Sequence, residues 1–180
     1  MRLFIAIPLS AEIKKALADC QEMLKPKISG AKWVEPEGIH LTVKFLGETN
    51  ERRVEDITAC CQRVVEAVEP FQILLSGVGG FPNLVIPRVI WVGISEGKEA
   101  VCQIAKDLEA SLKEIGFPSQ ARPFSPHLTL ARIKFPKKVS LIASEPEIRK
   151  MKVSAIQLIQ STLTPKGATY QVLKEIRFEG

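Results

Sequence analysis

The chain holds two histidines, and each opens the same kind of tetrad: His40-Leu41-Thr42-Val43 and His127-Leu128-Thr129-Leu130. With 17 Leu and 7 Thr in 180 residues, both histidines would draw a following Leu-Thr by chance on the order of once in 10⁵. A core histidine needs no such copy. Displacement at a phosphodiester is in line, so an acid and a base must act on opposite sides of phosphorus. Imidazole, with an ordinary pKa near 6.5, can take either part near neutrality. Each well-placed proton transfer is worth roughly 10²–10⁴-fold. A hydroxyl two residues after each histidine can donate to the non-bridging oxygens, where charge concentrates.

Strand side chains alternate faces. Read as strands, the tetrads put His40, Thr42 and Lys44 on one face, with Leu41, Val43 and Phe45 on the other as anchors. His127 and Thr129 likewise oppose Leu128 and Leu130. Packing of the apolar face then aims imidazole and hydroxyl together.

The elements that must hold these strands follow from periodicity. Leu3 to Ile7 reads as a buried strand, and Ser10 caps a helix with Ile13, Leu17, Cys20 and Leu24 on one face. A short segment around Trp33-Val34 precedes a strand from His40 to Leu46, closed by Gly47. A second helix spans about Glu51 to Val68, and a strand from Phe71 to Val78 stops at Gly79-Gly80-Phe81-Pro82. The order then recurs: a strand from Arg88 to Ile94, a helical stripe from Val101 to Ile115, and a strand from His127 to Ile133. Met151 to Leu163 and Thr169 to Phe178 read as closing strands about a turn at Pro165-Lys166-Gly167. Residues 137–149 are ambiguous because Pro146 interrupts them.

The recurrence has one offset. His127 minus His40 is 87, and Trp91-Val92-Gly93-Ile94 shifted back by 87 falls on Phe4-Ile5-Ala6-Ile7. A duplicated β-α-β unit accounts for it: one bilobal domain over 1–180, with an internal repeat of approximately 2–80 and 88–178. Packed about a pseudo-twofold, the histidine strands would face each other across a cleft.

Hydrophobic residues at 46% and charged residues at 25% describe a globular chain. A net charge of +5 permits a polyanionic partner, although the basic residues are scattered. Aromatic residues, at 6%, show no obvious base-stacking platform. The apolar start is too short for a signal peptide, and no run reaches membrane-spanning length. The four cysteines lack Cys-x-x-Cys spacing and read as buried free thiols of a reduced, intracellular chain. Two histidines without a third ligand do not complete a catalytic zinc site, and no Walker-type loop is present.

At these residues the sequence resembles the two-histidine (2H) phosphoesterases, and among them the RNA 2′,3′-cyclic phosphodiesterases, also called 2′-5′ RNA ligases. The resemblance spans Arg2 to Ala6, Trp33-Val34, His40 to Gly47, Gly77 to Pro82, Arg88 to Gly93 and Pro126 to Arg132. It implies an α+β, bilobal fold with two antiparallel sheets flanking a central cleft. It also implies opening of a terminal 2′,3′-cyclic phosphate to a 2′-phosphate, with no metal or other cofactor. In the family pattern His40 is the proton donor and His127 the proton acceptor. Thr42 and Thr129 bind phosphate, and Arg132 contacts substrate, although strand alternation alone puts Arg132 on the leucine face. The expected partner is RNA with a cyclic-phosphate end, tRNA fragments among the candidates, met by a cytoplasmic monomer without membrane contact. ATP-independent 2′-5′ ligation in the same site is the alternative, followed by a small cyclic nucleotide phosphodiesterase and a non-catalytic RNA-end binder.

Overall fold

Strand β1 (Arg2–Ile7) sends Leu3, Ile5 and Ile7 into the main core and Phe4 and Ala6 to the opposite face, where they meet Ile159. The computed structural model describes residues 1–139 and 149–180, so most of the ambiguous stretch lies outside the described residues. Ser10 caps α1 (Ala11–Leu24), its hydroxyl accepting from the Ile13 amide, and the apolar stripe turns inward as its spacing requires. Next come β2 (Ala31–Trp33), a 3₁₀ turn at Pro36–Gly38, and β3 (Leu41–Glu48). A further 3₁₀ turn, Glu51–Arg53, leads into α2 (Val54–Val65), which is shorter than its sequence stripe, and then into β4 (Phe71–Phe81). The chain continues as β5 (Val89–Glu96), α3 (Lys98–Glu114), β6 (Leu128–Ile133), β7 (Lys150–Val153), β8 (Ala155–Thr164) and β9 (Gly167–Arg177).

Two sheets result, ordered β3-β1-β8-β9 and β2-β6-β5-β4-β7, with every pairing antiparallel. The α+β class and the pair of antiparallel sheets are as expected. Each sheet takes strands from both halves of the chain. The helices cross over as well. Gln21 of α1 donates through Nε2 to the Leu130 carbonyl of β6 at 3.0 Å, whereas Glu109 of α3 pairs with Lys44 of β3 at 2.7 Å. Each helix thereby covers the sheet that carries the other helix's neighbouring histidine strand, and one hydrophobic core runs through both. Full burial of a Leu, Ile or Val side chain contributes about 1.5–3 kcal/mol, so Leu41 and Leu128 hold their strands firmly.

Several strand boundaries differ from the sequence reading, among them that of β3, which runs through Gly47 to Glu48. Gly79 and Gly80 do not end β4. A Cβ on Gly79 would stand 2.1 Å from the Trp91 ring, so glycine lets that indole lie across the neighbouring strand. The strand ends at Pro82, which has no amide to donate. The stretch from Met151 to Leu163 is also two strands: β7 pairs with β4 and β8 with β1. Val153 and Ala155 are both buried beside Ser154, so apolar sequence on either side conceals the change of sheet.

Candidate active site

The register of the histidine strands decides what faces the site. In the first sheet Ala6 lies opposite Thr42 and Ile5 opposite Lys44, which leaves Val43 as an extra residue. In the second, Trp91 lies opposite Thr129 and Ile90 opposite Ala131, which leaves Leu130 extra. These β-bulges are again 87 apart, 130 minus 43. A bulge resets the alternation of side chains. Val43 and Lys44 are therefore buried in succession, as are Leu130 and Ala131.

Two expectations change as a result. Lys44 does not share the face of His40 and Thr42; it is 2% exposed, pairs with Glu109 and donates to the Pro118 carbonyl at 3.0 Å. Phe45 is not a core anchor; it is 61% exposed and its ring lies 6.0 Å from that of Phe4. In the second strand the same reset turns Arg132 outward. That removes the conflict between strand alternation and a substrate-facing Arg132. Position 45 of the first strand corresponds to 132 of the second, an aromatic ring in one and a guanidinium in the other.

The imidazoles are held alike. His40 donates through Nδ1–H to the Gly38 carbonyl at 2.9 Å, and His127 through Nδ1–H to the Ser125 carbonyl at 2.7 Å. A carbonyl only accepts, so each Nδ1 carries its proton and each Nε2 is left for exchange. Rings pack around both. Phe4 and Tyr170 meet His40 at 5.3 and 4.7 Å between centroids, and Phe81 and Trp91 meet His127 at 5.0 and 6.4 Å. A few aromatic residues, inconspicuous in the composition, are thus concentrated at the histidines. The matched positions of Phe4 and Trp91 could have signalled this, since they too are 87 apart. Tyr170 could not, because it reaches His40 only through the order of β1, β8 and β9.

A tie that the sequence reading missed joins α1 and the segment before His40 to the second sheet. The Val34 amide donates to the Leu130 carbonyl at 2.9 Å, beside the bulge. Gln21 Nε2 bonds both this carbonyl and that of Val34, at 3.0 and 2.7 Å. Residues 34–40 then run from this anchor on β6 to His40 at the start of β3. His40 and Thr42 stand on one sheet, His127, Thr129 and Arg132 on the other. Cys20, Cys60 and Cys61 are free and buried as expected, Cys102 half-buried. Burial pushes the Cys20 thiol up to about 11 and the Cys61 thiol up to about 12, the latter also through Cys60. Neither is a nucleophile near neutrality.

Burial among the rings lowers the pKa of His40 below 6.5; the Gly38 carbonyl opposes this and the charge of Lys14 adds to it. Lys14 itself pairs with Glu37 at 2.9 Å. If His40 supplies a proton, the alkaline limb of the kcat/KM profile lies on the acid side of histidine's ordinary range. Lys14→Gln removes a repelling charge, favours the imidazolium and moves that limb to higher pH. A limb that moves the other way, in rates measured from pH 4 to 9, takes His40 out of that ionisation. The limbs are macroscopic values of the pair.

A model of the LigT-like phosphoesterase family matches residues 7–91 and 92–170. The chain belongs to this family. Among relatives of this LigT-like phosphoesterase, the RNA 2′,3′-cyclic phosphodiesterase of Methanocaldococcus jannaschii is 37% identical, over 97% of this chain and 99% of that protein. That of Thermotoga maritima is 34% identical over 100% and 97%. A solved structure from Thermus thermophilus matches with a TM-score of 0.87 and 34% identity, over 100% of this chain and 99% of that one. E. coli LigT complexed with 3′-AMP matches with a TM-score of 0.85 and 25% identity, over 99% and 98%.

Proposed function

We propose that the protein hydrolyses the terminal 2′,3′-cyclic phosphate of RNA to a 2′-phosphate, with His40 as proton donor and His127 as proton acceptor, and without metal or nucleotide cofactor. One observation carries this reading: the same bulged strand presents an imidazole and a hydroxyl twice, in a family whose relatives are named RNA 2′,3′-cyclic phosphodiesterase. Water attacks phosphorus and gives its proton to His127 Nε2, while the P–O3′ bond breaks on the far side. The leaving O3′ takes the proton from His40 Nε2. The imidazoles finish with exchanged protonation and water resets them.

The remaining residues serve charge and placement. Thr42 and Thr129 donate to the non-bridging oxygens, and Arg132 offers a fixed fork to the anion. Burial makes the His40 imidazolium a stronger acid than a solvated one, and a bound phosphate anion favours its protonation again. Phe45, exposed on the same face, offers an apolar surface to the terminal base. Among the described residues no three His, Cys, Asp or Glu side chains converge as metal ligands.

Within this reading the chain is a single bilobal domain over 1–180, with an internal repeat of approximately 2–80 and 88–178. One copy suffices, because both histidines come from one chain. Free buried cysteines suit the reducing cytoplasm, where tRNA fragments are a source of such ends. Among the described residues no helix is long and apolar enough to cross a membrane.

The test is the identity of the product. Purified protein with excess EDTA and an oligoribonucleotide ending in 2′,3′-cyclic phosphate should yield a 2′-phosphate. A 3′-phosphate would reverse the leaving group. Activity abolished by EDTA would replace the histidine base with a metal-bound hydroxide, and no turnover would leave an RNA-end binder.

A further inference from the structure

We infer that Lys32 and the segment Lys134-Phe135-Pro136-Lys137-Lys138 form a track for the RNA strand upstream of the cyclic end, an inference that rests on the phosphodiesterase reading. Lys32 of β2 lies directly opposite Arg132 of β6, and both are exposed. Like charges facing across antiparallel strands destabilise the pair. An anion lying over them reverses that sign.

The cations continue past the end of β6. Lys134, Lys137 and Lys138 are exposed, and among the described residues neither they nor Lys32 has a carboxylate within ion-pair distance. Elsewhere Lys14, Lys15, Lys25, Lys150 and Lys174 are paired while others, such as Lys27 and Lys166, have no such partner among the described residues, so what marks this segment is the clustering of its cations around one ring. Between the unpaired lysines Phe135 is 79% exposed, with Lys134 Nζ 5.5 Å from its ring centroid. A solvated aromatic ring among unpaired cations suits a single strand, which offers a base to stack and phosphates to neutralise.

The surface is ordered and continuous with the site. The Val139 amide donates to the Val85 carbonyl at 2.9 Å, and Asn83 Oδ1 accepts from the Val85 and Ile86 amides. The strands on either side of β5 that wall His127, β4 through Phe81 and β6, both run out into this region. At roughly 3.3 Å per strand residue, the seven residues from His127 to Lys134 span at most about 23 Å, less the one taken up by the bulge. A mononucleotide in the site cannot reach it; an oligomer can.

The experiment compares uridine 2′,3′-cyclic monophosphate with a hexaribonucleotide ending in 2′,3′-cyclic phosphate, for the wild type, a Lys134→Gln/Lys137→Gln/Lys138→Gln triple variant and Phe135→Ala. Mononucleotide kcat/KM should stay within about two-fold in both variants. Hexanucleotide KM should rise about ten-fold or more in the triple variant, with its salt slope reduced by about 0.7 for each phosphate that is no longer neutralised. Phe135→Ala should raise it about five-fold or more. Hexanucleotide kinetics unchanged, or both substrates weakened alike, would overturn the track. Lysine-dependent sedimentation with phosphatidylserine vesicles, beside unchanged hexanucleotide kinetics, would reassign the patch to a membrane surface. If the wild type turns over neither substrate, the phosphodiesterase reading fails, and anisotropy of a labelled hexanucleotide still reads the track: equal affinity of wild type and triple variant sinks it.

Discussion

Replacing either histidine by alanine should lower kcat by at least about 10²-fold, because in the proposed mechanism each variant loses one of two proton transfers that act in a single step. His40→Ala and His127→Ala leave the strand anchors Leu41 and Leu128 buried, so both variants should keep the wild-type circular dichroism spectrum and melting temperature. The double variant should lose less than the product of the single losses, since residues acting as a unit are non-additive. Thr42→Val and Thr129→Val should fold normally but bind and turn over substrate more weakly, as each removes a hydroxyl proposed to donate to phosphate. Single-turnover rates on a cyclic-phosphate oligoribonucleotide check all of these. Near-normal chemistry in either histidine variant would remove that residue from the mechanism.

Glu109→Ala should destabilise the fold by about 3 kcal/mol, the largest expected effect of a change outside the histidines. Lys44, on the bulged strand, is 2% exposed and keeps only the Pro118 carbonyl once its carboxylate is gone. At this chain length the loss corresponds to roughly 6–12 °C in Tm, read by thermal denaturation. Lys44→Met should cost less, because Glu109 is partly exposed and can be rehydrated. The Lys44→Met/Glu109→Leu double variant should recover most of the stability by exchanging the pair for packed apolar groups. A Glu109→Ala protein that melts with the wild type would show that Lys44 escapes to solvent. The pH dependence has a definite sign. Burial alone would raise the Glu109 carboxyl, but bonds from Lys44 and the Gln120 amide, with the Lys44 charge, hold it below its usual value. A depressed folded value means that the contribution is present above the unfolded pKa and lost as pH falls through the folded one.

The proposed site was legible in the chain because residue type and spacing are local. Two histidines, two following threonines and one offset of 87 single out the proposed acid–base pair and its proposed phosphate donors without coordinates. The strands and helices were legible for the same reason: Ser10 caps α1 and the apolar stripe from Ile13 to Leu24 is buried because capping and periodicity are local. What the sequence could not determine depends on register between strands distant in the chain. Nothing within His40-Leu41-Thr42-Val43 marks Val43 as the extra residue; that follows from its pairing with β1. The bulge then buries Lys44, exposes Phe45 and, in its counterpart at Leu130, turns Arg132 outward. Gly79 and Gly80 likewise read as a stop until Trp91, on the adjacent strand, supplies the ring that requires them. The aromatic walls of the histidines come from β1, β4, β5 and β9, and Gln21 ties α1 to a sheet that its own neighbouring strand β1 does not join. Local pattern specified the candidate groups; long-range pairing, in which one inserted residue reverses a whole face, decided where they point.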